Sequence, residues 1–165
     1  MNATDFISQS LDQSKSWVLP LIMDMQDAPT ALPTPGGNHP HWILGHLTYS
    51  ESLLIQKYML GGEHPLGDWG EIFGAGHDVV ADAAGYPSFE GVLNQFEKTR
   101  SETLEVLSSL NDADLDKPSA APPEGSGEFF ATYARCFTAV PLHYTFHGGQ
   151  VADARRAIGR PPLMA

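Results

Sequence analysis

One cysteine, Cys136, stands in a chain of 165 residues, so no intrachain disulfide can form. A lone free thiol suits a reducing compartment, and the expectation is a cytoplasmic protein. Positive charge is scarce: nine Lys and Arg against 20 Asp and Glu leave a formal net charge of −11. Such a surface repels phosphate backbones, so nucleic acid is not an expected partner. Four of the nine basic residues (Arg135, Arg155, Arg156, Arg160) fall towards the C-terminal end, either as a local cationic patch or as a solvated helix face. Long apolar runs are missing too. The most apolar, 17–23, is interrupted by Pro20 and is far too short to span a membrane. No basic stretch leads into an apolar core at the N-terminus, so no signal peptide is expected. Strand-like alternation is rare and no internal repeat is visible.

What is present is a globular composition, 42% hydrophobic and 18% charged, in a length that suits one domain, 1–165, with its own core. The periodicity predicts four long helices. The first covers about 4–26, capped by Thr4, with Phe6, Ile7, Leu11, Ser14, Val18, Leu21 and Ile22 on one face. Pro20 should bend it or end it early. After a Pro- and Gly-containing loop, 27–38, the second helix covers about 40–60. Pro40 suits its first turn and Gly61-Gly62 stops it. Its stripe is Ile43, His46, Leu47, Ser50, Leu53, Leu54 and Lys57 or Tyr58. A long aperiodic segment, 63–87, follows, with a short helical turn at 68–73; long loops of this kind often cover a site. The third helix covers about 88–110, capped by Ser88. Another loop, 111–127, leads to the fourth, about 128–158, ended by Gly159 and Pro161-Pro162. Its stripe, Tyr133, Cys136, Val140, His143, His147, Val151, Ala154 and Ile158, advances by threes and fours, as an inward face requires.

Three histidines lie on inward stripes. His143 and His147 are one turn apart on the same face, and His46 sits on the stripe of the second helix. A lone histidine in such a place is ordinarily a core residue with one hydrogen bond. Three without a common partner cost of order 1–3 kcal/mol for each unsatisfied nitrogen. A shared metal removes that cost, and three protein ligands leave a position open, as in a reactive metal site. Gln150 and Asp153 are candidates to hold the ligands from behind. Glu51 turns away from His46, and Cys136 lies about 10 Å along the helix from His143, too far to share an ion. His39 and His41 read as surface or capping groups, and His64 and His77 as solvated loop residues. Pro141 reads as a tolerated kink or as the opening of a pocket above the metal. No Glu adjoins the ligands as in a His-Glu-x-x-His peptidase.

Trp42-Ile43-Leu44-Gly45-His46-Leu47 resembles the Trp-x-x-x-His-Leu pattern of the DinB/YfiT-like family. His143 to His147, then Gly149-Gln150-Val151, Arg155-Arg156 and Gly159-Arg160-Pro161, resembles that family's closing motif. The resemblance runs from about 4 to 162 and is strongest at the second and fourth helices. It implies an all-α four-helix bundle that is not simply up-down. It implies a divalent metal, zinc or nickel, held by His46, His143 and His147. Some members transfer low-molecular-weight thiols such as bacillithiol, or use mycothiol in isomerisation. The resulting expectation is a small-molecule metalloenzyme, with thiol transfer to an electrophile as the favoured reaction. A small-molecule hydrolase, a non-catalytic metal- or ligand-binding bundle and a structural bundle with relic histidines stay open. The resemblance, with large apolar residues on two faces of the first helix (Trp17 and Leu19 opposite Val18 and Ile22), also implies a homodimer. The acidic loop residues Glu63, Asp68, Glu71, Asp78 and Asp82 would disfavour anionic substrates unless Arg155 or Arg156 compensates.

Overall fold

Side chains that satisfy the first free amides decide where these helices begin. In the computed structural model, which describes residues 1–163, α1 (Ala3–Met23) is capped by Asn2. Asn2 accepts from the Asp5 amide and Asp5 accepts from the Asn2 amide, a reciprocal pair. Thr4 is therefore not the cap. It lies in the first turn, where Asp112 accepts from the Ala3 and Thr4 amides at 3.0 and 3.1 Å. The helix runs through Pro20 and ends shortly after it, at Met23.

His39 caps α2 (Pro40–Ser52), its Nδ1 accepting from the Trp42 amide at 3.1 Å. Every residue from His39 to Thr48 is buried. A helix covered on all sides is the centre of its fold, so a one-face stripe describes α2 too narrowly. Beyond Ser52 the chain widens into a π-helical segment, Leu53–Met59, which the periodicity did not announce. Its end is docked: the Met59 and Tyr58 carbonyls accept from the Ala120 and Ala121 amides at 3.1 and 2.9 Å. Gly61 then turns with φ +74°, where a Cβ would approach the Ala120 methyl to 2.7 Å.

The segment after α2 carries a 3-10 turn, Gly67–Trp69, and the short α3 (Gly70–Phe73), close to the expected 68–73 turn. α4 (Phe89–Ser108) is capped by Ser88, as expected, through the Gly91 amide at 3.1 Å. A further 3-10 turn, Asp112–Asp116, interrupts the loop that follows. α5 (Tyr133–Ala157) starts later than 128, because the residues before it pair with 117–119 instead. The Ser119 amide bonds to the Ala131 carbonyl at 2.9 Å and the Tyr133 amide to the Lys117 carbonyl at 3.1 Å. Thr132 supplies the cap.

Five helices and no strand are found among the described residues. α1 packs chiefly on α5 and α2 chiefly on α4, around one apolar core that includes Ile22, Leu47, Phe96, Phe137 and Val151. No helix among the described residues is long and apolar enough to cross a membrane.

A buried ion pair sits in that core. Arg100 of α4 donates to both carboxylate oxygens of Glu51 on α2, at 2.9 Å each, and its third nitrogen reaches the Leu11 carbonyl of α1. The Tyr144 hydroxyl of α5 donates to the same carboxylate, and its ring lies 4.8 Å from the guanidinium carbon. Burial alone works against the charged guanidinium, but Tyr144 and Glu51 outweigh it and hold its pKa above the ordinary value. Burial, then the charge of Glu51, holds the Tyr144 hydroxyl protonated well beyond its usual range. Arg100→Met should lower unfolding stability by ~3–5 kcal/mol, because Glu51 is left buried and unpaired. Chemical denaturation measures it; a loss below ~1 kcal/mol would show that the pair does not hold the helices together.

Candidate metal centre

The packing of α2 beside α5 brings together the three histidines that the sequence singled out. His46 of α2 and His143 and His147 of α5 present one ring nitrogen each to a common point. The Nε2 of His143 lies 3.1 Å from that of His46 and 3.0 Å from that of His147. The three rings meet at interplanar angles of 71°, 75° and 80°, as blades around an axis rather than as a stack.

The outer nitrogens decide what the inner ones offer. His46 Nδ1 faces the Phe73 carbonyl at 2.7 Å. A carbonyl only accepts, so the ring proton sits on Nδ1 and Nε2 presents a lone pair. His147 Nδ1 donates in the same way to Gln150 Oε1 at 2.9 Å, and Asn38 Nδ2 fixes that oxygen from the other side at 3.1 Å. His143 Nε2 thus faces two lone pairs and carries at most one proton to share between them. The donor set is short of hydrogen and fits a cation. Protonating the rings is no remedy. Burial, then the neighbouring His147 and His46 rings, brings His143 down to about 3; burial, then His46, brings His147 to about 4. Burial also lowers His46. All three rings are neutral at ordinary pH, the form that ligates a metal.

Trp42 and α3 hold His46 in place. The indole stacks on the His46 ring, centroids 4.4 Å apart and planes within 10°. Its Nε1 donates to the Ile72 carbonyl at 2.9 Å, so Trp42 and His46 bond to consecutive carbonyls of α3. Gly45 permits this docking: a Cβ there would stand 2.3 Å from the Phe73 ring. The sequence singled out the segment 63–87 but not the atom it contributes, since a backbone carbonyl leaves no mark on residue identity. The segment is also pinned. His39 donates to the Val80 carbonyl and His41 to the Pro87 carbonyl, each at 3.0 Å, and Tyr86 packs against both rings. His39 caps as expected, but neither it nor His41 is a surface group; burial lowers the pKa of both.

The other candidates lie elsewhere. Asp153 bonds to Arg156 at the surface and does not touch a histidine, while Gln150 does. Glu51 and Cys136 are buried away from the trio, as expected, with Cys136 Sγ 3.4 Å from Ser119 Oγ and its pKa raised by burial. His77 is exposed, and His64 packs edge-on against Tyr49. Arg155 and Arg160 share Asp24, Arg160 also bonds to Asp27, and Arg135 bonds to Glu128, so each of these cations is paired with a carboxylate rather than left as a bare cationic patch.

A cavity of about 550 Å³ opens beside the trio, lined by His46 and His143 but not His147. Its other walls are mainly Leu54, Tyr58, Phe129, Phe130, Leu142 and Phe146, with Ser50, Ala75 and Ala139. Pro141 does not line it; that residue faces a separate shallow groove beside Trp17. None of the acidic residues of 63–87 lines the cavity either, nor do Arg155 and Arg156.

An all-helical protein with three converging neutral imidazoles at the end of an apolar cavity is a candidate metalloprotein. Residues 11–151 match the DinB superfamily, and the chain belongs to it. No curated protein matches the chain.

Gly45→Ala tests the support of the trio without touching a ligand. Pushing Phe73 away should withdraw the carbonyl from His46 and weaken metal binding ~10–100-fold, the usual loss when such a partner goes. Competition with a chromophoric chelator would measure it. Unchanged affinity would show that α3 does not orient His46.

Proposed function

We propose that the protein is a metal-dependent enzyme that joins a low-molecular-weight thiol to a small electrophile. The observation that carries this reading is the meeting of three Nε2 atoms, those of His46 and His147 fixed as lone pairs, beside a cavity with no charged side chain in its described lining. The ion is zinc or nickel, both suited to imidazole, held by His46, His143 and His147 in a four-helix bundle of the DinB/YfiT-like type. Such an ion supplies Lewis acidity, lowering the pKa of a coordinated thiol.

The chain's own groups divide the remaining work. Phe73 and Gln150 keep the Nδ1 protons of His46 and His147, so the inner nitrogens stay free of protons. Trp42 covers one face of His46 and excludes water from it. His46 and His143 form the edge across which a molecule in the cavity reaches the site. Among the described residues no carboxylate side chain lines that cavity, so a hydrolase would lack a carboxylate general base there for its water. A thiol has a far lower pKa than water and would depend less on such a base, its proton passing to bulk water or buffer; this favours thiol transfer over hydrolysis. The single buried thiol of Cys136 suits a reducing cytoplasm, where small thiols are abundant.

Protein purified without a histidine tag should contain one divalent ion per chain, lost in the His46, His143 and His147 triple-alanine variant. With cobalt as a spectroscopic substitute, simple thiols at millimolar concentration should produce a sulfur-to-cobalt charge-transfer band, absent in His147→Ala. Stoichiometric cobalt with no response to any thiol would leave a metal-binding protein without thiol chemistry.

We also propose a homodimer. Phe6 and Trp17 of α1 are 60% and 52% exposed, large apolar surfaces that a second copy would cover. Sedimentation at micromolar concentration should give twice the chain mass, and Trp17→Glu should shift it towards the monomer. A wild-type monomer under those conditions would end the idea.

A further inference from the structure

The cavity beside the trio has a second half that the metal does not explain. Along α2 and the π-helical segment, His46, Ser50, Leu54 and Tyr58 all face it. In an uninterrupted α-helix Tyr58 would point roughly 120° away from His46, since each residue turns by about 100°. The wider π winding of Leu53–Met59 turns the chain less at each step and returns Tyr58 to the cavity. Single π turns occur often at functional sites for this kind of reason. The docked Ala120 and Ala121 amides hold the end of the segment in place.

The rest of the wall is apolar and partly open. Phe129, Leu142 and Phe146 are 62%, 62% and 67% exposed, an unusual concentration of large apolar surface around one opening. Among the described residues no Asp, Glu, Lys or Arg lines the cavity. An ionised ligand placed there would lose hydration with no partner charge, which is strongly unfavourable. A flat apolar ring would instead gain contact with the Phe129, Phe130 and Phe146 rings. Apart from the two histidines, the polar side-chain atoms in the lining are the hydroxyls of Ser50 and Tyr58. Neither hydroxyl has a hydrogen-bond partner within the protein among the described residues, whereas the helical hydroxyls of Ser10 and Thr145 bond back to a carbonyl one turn earlier.

We infer that this cavity binds an uncharged aromatic molecule, with the Tyr58 and Ser50 hydroxyls bonding to a neutral polar substituent on it. Its role as the electrophile's pocket rests on the reading of the histidines as a metal centre; its binding chemistry does not. Tyr58 and Ser50 are specificity residues in this assignment. The π-helical segment is what aims Tyr58.

The test is binding, measured with and without a chelator on the full chain. The neutral probe N-phenyl-1-naphthylamine should bind saturably with a blue-shifted emission, and anionic 1-anilinonaphthalene-8-sulfonate at least tenfold more weakly. Ala139→Leu, which fills the cavity, and Phe146→Ala, at its exposed rim, should each weaken the neutral probe about fivefold or more. Displacement by 2-naphthol and by naphthalene then isolates the hydroxyls. Tyr58→Phe should weaken 2-naphthol about fivefold, as loss of one neutral hydrogen bond does, and leave naphthalene unchanged. Circular dichroism confirms that this conservative variant is folded. Equal binding of the anionic probe, or a neutral probe indifferent to Ala139→Leu, would overturn the assignment of an uncharged aromatic ligand. Equal weakening of 2-naphthol and naphthalene by Tyr58→Phe would overturn the role of its hydroxyl. Failure of the metal reading appears separately, as protein that binds the neutral probe but contains no ion.

Discussion

The buried pair between Glu51 and Arg100 is the constraint on which the arrangement of the helices depends. Four helices meet at it: α2 supplies the carboxylate, α4 the guanidinium, α1 a carbonyl at Leu11 and α5 the Tyr144 hydroxyl. Apolar contacts tolerate sliding and rotation, because they are non-directional. A guanidinium and a carboxylate joined by two parallel bonds do not. Isolated charges at this depth would be very costly, so only the register that closes every bond is populated. Glu51 lies five residues after His46, and Tyr144 immediately follows His143. The geometry that closes the ion pair therefore also sets the separation of α2 and α5 at the trio.

From that frame the site is built outward. Two of the three imidazoles are oriented from behind by groups that can only accept, one a main-chain carbonyl and one a glutamine oxygen itself held by Asn38. Their inner nitrogens then both present lone pairs to His143 Nε2, which has at most one proton to share, an arrangement that neutral side chains do not satisfy alone. The opposite side of the same space is apolar and open. A reactive centre at the end of an uncharged pocket is an economical device for selecting neutral partners, since the wall excludes ions while the ligands supply the chemistry.

Much of the helix pattern was legible in the residues. Ser88 and Pro40 marked their starts, Gly61 and Gly159 marked ends, and the threes and fours of α5 marked its inward face. The errors fell where a partner distant in sequence overrode a local signal. Thr4 is a good cap in isolation, but Asn2 and Asp5 satisfy each other and Asp112 takes the Thr4 amide. Residues 128–131 read as the start of the last helix, yet they form local turns, and Ala131 and Tyr133 bond to Ser119 and Lys117. His39 and His41 look like polar residues before a helix and are in fact buried pins for 80–87. Arg100 passed unnoticed because a basic residue in an amphipathic helix is ordinarily solvated.

The sequence by itself determined which residues bear the chemistry. Two histidines one turn apart must share a helix face, and a third on another apolar stripe must point inward; these follow from helical period and the burial of apolar surface, both local properties. It also determined the all-helical class and the absence of an intrachain disulfide. Only the tertiary structure decided that the three nitrogens lie within bonding distance of one point, that α3 presents a carbonyl to His46, and that a π turn aims Tyr58 into the cavity. Each of these depends on backbone atoms, or on contacts between residues far apart in the chain. A backbone carbonyl is the same in every residue, so its position is set by packing and not by the identity of the side chain that carries it.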